Sequence, residues 1–132
     1  MSLLLLDTTF LVDAERGAGE LESMIGDDDD VAIAAITVAE LFVGIELATT
    51  RHRPAREEYV DEILSTIPVL GYDVAVAAEH AILLGAVRKA GRPRGAHDLM
   101  IAATARATNR TVVTADATAF VDLPGLAIED HR

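Results

Sequence analysis

The chain has 132 residues, 51% hydrophobic and 25% charged, an ordinary globular balance with enough length for a real core and no sign of a disordered array. It has no cysteine, which excludes disulfides, thiolate metal sites, iron–sulfur clusters and thiol nucleophiles. The formal net charge of −11 argues against the overall basic footprint of a nucleic-acid binder, so any such function has to rest on a local pattern.

The first residues lack a basic n-region, and Leu3-Leu4-Leu5-Leu6 stops at Asp7, too early for a signal sequence. No later apolar run approaches the ~18 residues of a membrane span, so a soluble cytoplasmic protein is expected. Leu3 to Leu6 reads as a buried parallel strand that delivers Asp7 to its carboxyl end, with Phe10-Leu11-Val12 at the start of a short helix. Asp7 can be the N-cap of that helix or a functional acid. Gly17 to Ile25 predicts a second short amphipathic helix. Asp27-Asp28-Asp29-Asp30 predicts a solvated loop, because consecutive carboxylates point in different directions.

Val31 to Ile36 predicts the second buried strand, and Thr37-Val38-Ala39-Glu40 opens a helix through about Ala48 with apolar positions Leu41, Phe42, Ile45 and Leu47. Thr37 and Glu40 have the spacing of a capping box, in which the Glu40 carboxylate accepts from the Thr37 backbone N–H. The competing reading places Glu40 on the carboxyl rim of the sheet with Asp7. Gly44, costly in a helix interior by ~1 kcal/mol, implies close packing against that helix. Arg51-His52-Arg53-Pro54-Ala55-Arg56 is a basic turn, and Pro54 suits the first turn of a helix through about Thr66, with Tyr59, Ile63 and Ile67 facing inward. Pro68-Val69-Leu70 predicts a short strand near a sheet edge.

Asp73 starts a helix through Val87 that is apolar on nearly every face, which points to a subunit interface. His80 within it reads as a packed residue, since no two histidines have ligand-like spacing. Arg88-Lys89-Ala90-Gly91-Arg92-Pro93-Arg94-Gly95 then runs as a basic loop into Asp98. Cation capping of the helix end accounts for Arg88 and Lys89 but not for Arg92 and Arg94.

Asp98 to Asn109 predicts a buried helix with Asn109 left-handed at its end, and Thr111 to Thr114 a short strand covered on both faces. A helix of ~11 residues rises ~16 Å and a strand of ~4 residues returns ~13 Å, so Asp98 and Asp116 lie on one rim. That rim is the carboxyl edge of the sheet, where open α/β folds bind ligands. Ala117 to Phe120 predicts a turn of helix, Leu123-Pro124-Gly125 a tight turn and Leu126 to Ile128 a last strand. The whole reads as one α/β domain over residues 1–132, a mostly parallel central sheet flanked by helices, with no repeat or linker.

Asp7, Glu40, Asp98 and Asp116 thus converge from separate elements, and unneutralised they would repel one another. An oxygen-only set of this kind suits Mg²⁺ or Mn²⁺. Such a site lowers the pKa of a bound water and holds a phosphodiester in line, which makes metal-dependent phosphodiester hydrolysis the natural reaction class.

Asp7-Thr8-Thr9 after a strand, Thr37-Val38-Ala39-Glu40-Leu41 with Gly44, Asp98 followed by Ile101-Ala102-Ala103-Thr104-Ala105, and Thr114-Ala115-Asp116 before Phe120 together resemble a PIN-domain ribonuclease. The likeness is greatest to the VapC toxins of bacterial toxin–antitoxin pairs and covers essentially the whole chain. It implies a three-layer PIN-like fold, an endoribonuclease with Asp7, Glu40, Asp98 and Asp116 as its metal-binding catalytic set, and Thr9 and Thr114 as hydroxyls supporting that set. It also implies a homodimer and a cognate VapB-like antitoxin. Ala115 departs from the pattern, where an asparagine or similar residue is common, and so does Ala96-His97, where small polar residues are frequent.

A haloacid-dehalogenase-type phosphatase needs a second acid where this chain has Thr9. Both it and a receiver domain need a lysine at a strand end, whereas the one lysine, Lys89, closes a helix. The alternative that remains is a catalytically inactive PIN-like module that binds RNA or a protein. Two divalent ions would leave the chain acidic, so RNA has to be held by local patches: Arg51, Arg53 and Arg56, with Arg88, Arg92 and Arg94. An antitoxin arginine inserted into the acidic cleft would make a charge-assisted contact that displaces metal or substrate.

Overall fold

The structure, a computed structural model, describes residues 2–17 and 25–131. The helix expected over Gly17 to Ile25 falls on residues 18–24, outside the described residues. In chain order the elements are β1 (Leu3–Leu6), α1 (Thr8–Arg16), β2 (Asp30–Ala34), α2 (Ala35–Glu46), α3 (Arg53–Thr66), β3 (Val69–Leu70), α4 (Val74–Ala90), α5 (Ala96–Thr108), β4 (Thr111–Thr114), a 3₁₀ turn (Ala117–Ala119) and β5 (Ile128–Asp130).

The five strands form one sheet in the order β3-β2-β1-β4-β5, and every pairing is parallel. From β1 the chain builds outward through β2 and β3, then crosses back to add β4 and β5 on the other side. The direction of winding therefore reverses between β1 and β4, and the crevice past the carboxyl ends of these two strands is the place where such sheets hold ligands. Leu6 pairs with Val113 in the ladder, and the Asp7 backbone N–H continues it to the Val113 carbonyl at 3.0 Å. Asp7 is thereby carried to the level of Thr114.

Side-chain alternation on β1 separates two cores. Leu5 points to one face with Ala32, Val112, Val76, Leu83, Leu99, Ala102 and Phe120, under α4 and α5. Leu4 and Leu6 point to the other with Ile33, Val113, Phe10, Leu11, Leu41, Val60 and Ile63, under α1, α2 and α3. Helices cover both faces, so the central strands are apolar without alternation, and the architecture is the three-layer α/β arrangement expected.

The structure departs from expectation in element boundaries and in helix facing. β2 ends at Ala34 and α2 begins at Ala35, so Thr37 is buried inside the first turn and the N-cap is Ala34, which uses no side chain. The apolar Ile36 reads as strand, yet it belongs to a helix that inherits the strand's burial. Phe42 and Leu47 on α2 are exposed, while Leu41 takes the core-facing position. α5 begins two residues early, at Ala96, which places Asp98 in the first turn, where the helix dipole favours an anion. The last strand is Ile128–Asp130 rather than Leu126 to Ile128, because its pairing with β4 (Val112 with Ile128 through Thr114 with Asp130) sets the register and overrides the polar composition.

Other local readings hold. Asp73 caps α4 by accepting from Val76 N–H at 2.9 Å, Pro54 lies in the first turn of α3, and Asn109 ends α5 at φ 57°, ψ 41°. α4 buries only Val76 and Leu83 completely and leaves Val74 and Ile82 exposed. Among the described residues no helix is long and apolar enough to cross a membrane.

Candidate active site

The four acids arrive from four different places. Asp7 follows β1, Glu40 lies in α2, Asp98 in the first turn of α5, and Asp116 two residues beyond β4. Asp7 is the most constrained. Its side chain is buried, with Oδ1 accepting from Phe10 N–H (2.9 Å) and the Thr9 hydroxyl (2.8 Å), and Oδ2 accepting from the Thr114 hydroxyl (2.6 Å). The N-cap reading and the rim-acid reading of Asp7 are both true of the same carboxylate. Burial pushes its carboxyl above the ordinary range against those three hydrogen bonds, and the Glu40 charge adds to the push.

Because the Thr9 and Thr114 hydroxyls both donate to Asp7, each is left to accept. Thr9 Oγ1 accepts from the Ala115 N–H at 3.1 Å and Thr114 Oγ1 from the Asp116 N–H at 2.9 Å. The two threonines therefore tie the strand end of β4 to that of β1 across the point where the winding reverses. The part of residue 115 that is used here is its backbone N–H, which alanine supplies as well as any polar residue.

Glu40 makes no capping box. Its Oε1 accepts from the Thr8 hydroxyl at 2.7 Å, and its Oε2 stands 3.4 Å from His97 Nδ1. Thr8 and His97 were not singled out from sequence as site residues. Neither signals itself locally, since each reaches Glu40 only through the fold.

Asp98 is half-buried, and its carboxyl is raised first by burial, then by the charges of Glu40, Asp7 and Asp116, with His97 opposing. Glu40, Asp7 and Asp116 thus all lie close enough for their charges to reach Asp98. Gly95 makes room for Asp98: a Cβ at residue 95 would stand 2.9 Å from Asp98 Oδ2. Asp116 is exposed, and its Oδ1 accepts from the Thr118 hydroxyl at 2.6 Å.

The basic residues divide. Arg94 donates to the Thr118 carbonyl (3.1 Å) and the Val121 carbonyl (2.7 Å), which fastens the loop before α5 to the segment after Asp116. It serves there as a structural tie between the two segments. Arg92 lies 3.9 Å from Asp122 and is largely exposed. Arg53 pairs with Glu46 and Glu57, Arg56 with Glu15, and Arg51 is exposed in the turn before α3.

Among the described residues no three acids or histidines close on one point in ligating geometry as the side chains lie. The donor set is nevertheless oxygen-only, and at Asp98 the charges of Glu40, Asp7 and Asp116 add to the effect of burial. That chemistry fits a hard divalent cation.

Comparison with known proteins agrees with this geometry. Residues 4–126 match the PIN domain family. The chain is 32% identical over 100 residues to the tRNA(fMet)-specific endonuclease VapC of Shigella flexneri, covering 76% of this chain and 74% of that one. It is 33% identical over 128 residues to toxin FitB of Neisseria gonorrhoeae, covering 89% and 91%. Its fold superposes on a chain of the DNA-bound VapBC structure from Salmonella typhimurium with a TM-score of 0.88 and 26% identity, covering 98% of each. With its four acids gathered at the β1/β4 crevice and this likeness along nearly its full length, the chain belongs to the PIN-domain family, in the company of VapC and FitB.

Proposed function

We propose that this protein is a metal-dependent endoribonuclease that acts as the toxin of a VapBC-type pair in the cytoplasm, with Asp7, Glu40, Asp98 and Asp116 as its catalytic set. The observation that carries the proposal is the arrival of Asp7, Glu40, Asp98 and Asp116 from four separate elements at the crevice between β1 and β4, with Asp7 tied to Thr114 and Glu40 to Thr8 by hydroxyl donors. Four acids so placed are a cost to the folded chain unless a cation offsets them. The endonuclease named among the relatives supplies the substrate class.

Mg²⁺ or Mn²⁺, when held by these carboxylates, supplies a water of lowered pKa and charge compensation at the phosphodiester. The chain's own residues divide the remaining work. Asp7 is fixed by three hydrogen bonds and sets the position of the site. Thr8 orients Glu40, Gly95 admits Asp98 to the crevice, and the exposed Asp116 closes the set from the β4 side. Arg51 in one basic stretch, and Arg88, Lys89 and Arg92 in the other, are exposed cations that meet RNA phosphates.

The antitoxin is of the VapB kind, by likeness to the VapBC complex of Salmonella typhimurium. An arginine from it would find in the acid cluster a ready charge-assisted partner. A homodimer through the apolar outer face of α4, where Val74 and Ile82 are exposed, completes the reading.

The test is incubation of purified protein with total RNA, with and without Mg²⁺, followed by mapping of new ends. Metal-dependent ends that vanish in Asp98→Asn support the proposal. A folded wild-type protein that binds RNA without cutting it under any divalent metal is instead a binding module.

A further inference from the structure

Between α2 and α5, beside the acid cluster, lies a cavity of about 250 Å³ lined by Ala35, Ile36, Ala39, Tyr72, Met100 and Thr104. Its walls are mostly apolar. The Thr104 hydroxyl is turned to the Met100 carbonyl at 2.8 Å, and the Tyr72 hydroxyl lies 2.6 Å from His80 Nδ1. The Tyr72 ring meets the His80 imidazole edge to face, with centroids 5.7 Å apart. Tyr72 is thus 48% exposed yet held in one orientation.

The two helices that wall the cavity are the two that carry Glu40 and Asp98. Ala39 directly precedes Glu40. On α5, His97, Met100 and Thr104 follow one another at spacings of three and four, so they share a face of the helix. His97 at the top of that face stands 3.4 Å from Glu40, and the His97–Glu40 pair therefore forms the rim between cavity and acid cluster.

We propose that this cavity is a base-recognition site: it receives the unstacked nucleobase of the nucleotide next to the phosphodiester held by the acids, with the Tyr72 ring as its stacking face. The proposal rests on the ribonuclease reading above and deepens it. Sequence-selective binding of single-stranded RNA uses a splayed base, an aromatic face and apolar contacts, with the phosphate held alongside. The acids Glu40 and Asp98 and the apolar walls lie on the same two helices, and Tyr72 joins them from the segment between β3 and α4. The cavity is small for a drug-sized ligand and takes one planar ring system. The chain has no tryptophan and two tyrosines, and the other, Tyr59, donates inward to the Leu11 carbonyl. A base tethered by one sugar to a phosphate at the acids reaches this cavity directly, which favours RNA as its occupant over a side chain of a protein partner.

The test uses an oligouridylate carrying one 5-iodouridine, photo-cross-linked to the full chain in chelator so that no cleavage occurs, followed by peptide mapping. Cross-links at Tyr72 are expected, and cross-links confined to other segments overturn the proposal. With Mg²⁺, Tyr72→Ala should raise KM about tenfold and level the preference among flanking bases, with kcat within about twofold of wild type. Tyr72→Phe, which keeps the ring and loses only the bond to His80, should recover most of the binding lost in Tyr72→Ala, and Ala39→Leu, which fills the cavity without touching an acid, should behave as Tyr72→Ala does. Unchanged KM and cleavage pattern in both Tyr72→Ala and Ala39→Leu overturn the proposal. So does a changed sedimentation mass at unchanged KM, which would give the cavity to a protein contact. A wild-type protein that cross-links at Tyr72 but cuts no RNA would keep the base site and remove the ribonuclease reading.

Discussion

The Thr8 hydroxyl donates to the Glu40 carboxylate at 2.7 Å across 32 residues of sequence, joining the first turn of α1 to the middle of α2. Glu40 owes nothing to the capping of its own helix, whose N-cap is Ala34. Glu40→Gln preserves an acceptor for Thr8 but removes the charge. RNA cleavage should fall by about 100-fold or more while the melting temperature moves by no more than ~2 °C. Thr8→Val should cost roughly tenfold in activity or metal affinity, with Thr8→Ser close to wild type. Equal activity of the valine and serine variants would show that Glu40 needs no help from Thr8.

Asp98→Asn should abolish cleavage and leave a folded chain, because the amide occupies the same space beside Gly95. Without metal, the variant should match or exceed wild type in thermal stability, since a group that is held above its ordinary pKa by burial and three like charges has been neutralised. Circular dichroism melts in chelator decide the point, and a lower melting temperature for Asp98→Asn would contradict it.

Stability in chelator should also depend on pH in a defined direction. Asp7 and Asp98 are both raised from 3.8 in the folded chain, so the folded state holds their protons more tightly than the unfolded one. The contribution of such groups is fully present below the unfolded value and is lost as pH rises through the folded value. Lowering the pH through the folded values of these two carboxyls toward 3.8 should therefore add to the stability of the wild-type protein, and less so to that of Asp98→Asn. Identical slopes for the two proteins would place the proton uptake at other groups.

Millimolar Mg²⁺ or Mn²⁺ should stabilise the wild-type chain by RT ln(1 + [L]/Kd), about 1.4 kcal/mol at ten times Kd. Asp116→Asn should gain less from the same addition, although its exposed side chain makes it as stable as wild type in chelator. A thermal-shift series in chelator, Mg²⁺ and Mn²⁺ measures both, and equal metal-induced shifts would take Asp116 out of the ion's coordination.

Arg92 and Arg94 should part company when replaced singly. Arg94→Ala removes two hydrogen bonds to the carbonyls of Thr118 and Val121, and should lower stability by about 1–2 kcal/mol. Arg92→Ala should leave stability unchanged and reduce the salt slope of RNA binding by about one. The reverse assignment, with the salt slope set by Arg94, would mean that its carbonyl contacts open when RNA binds.

Those parts of the fold that rest on local chemistry were legible in the sequence. Leu3 to Leu6 and Thr111 to Thr114 announce buried parallel strands, Asn109 announces a left-handed helix end, and the order of the four acids places them on one rim. What could not be read was anything decided by a distant partner. Glu40 has the spacing of a capping residue, and only the start of α2 at Ala35 frees it. Thr8 and His97 become site residues through contacts with Glu40 across 32 and 57 residues. Gly95 reads as loop punctuation, yet its lack of a Cβ is what admits Asp98. Arg94 carries the charge of a phosphate clamp, and its use is known only once the carbonyls after Asp116 are in view.

The bond from Thr114 to Asp7 spans 107 residues, and it has a consequence for the timing of activity during synthesis. The amino-terminal segment leaves the ribosome first, but Asp7 lacks one of its fixing hydroxyls and its neighbouring strand until β4 has emerged and paired. Asp98 and Asp116 are equally late in the chain. A nascent chain of this protein therefore holds an incomplete site until β4 has paired with β1 and Asp116 has followed it. A co-synthesised antitoxin would meet its target at the moment when that target first becomes dangerous.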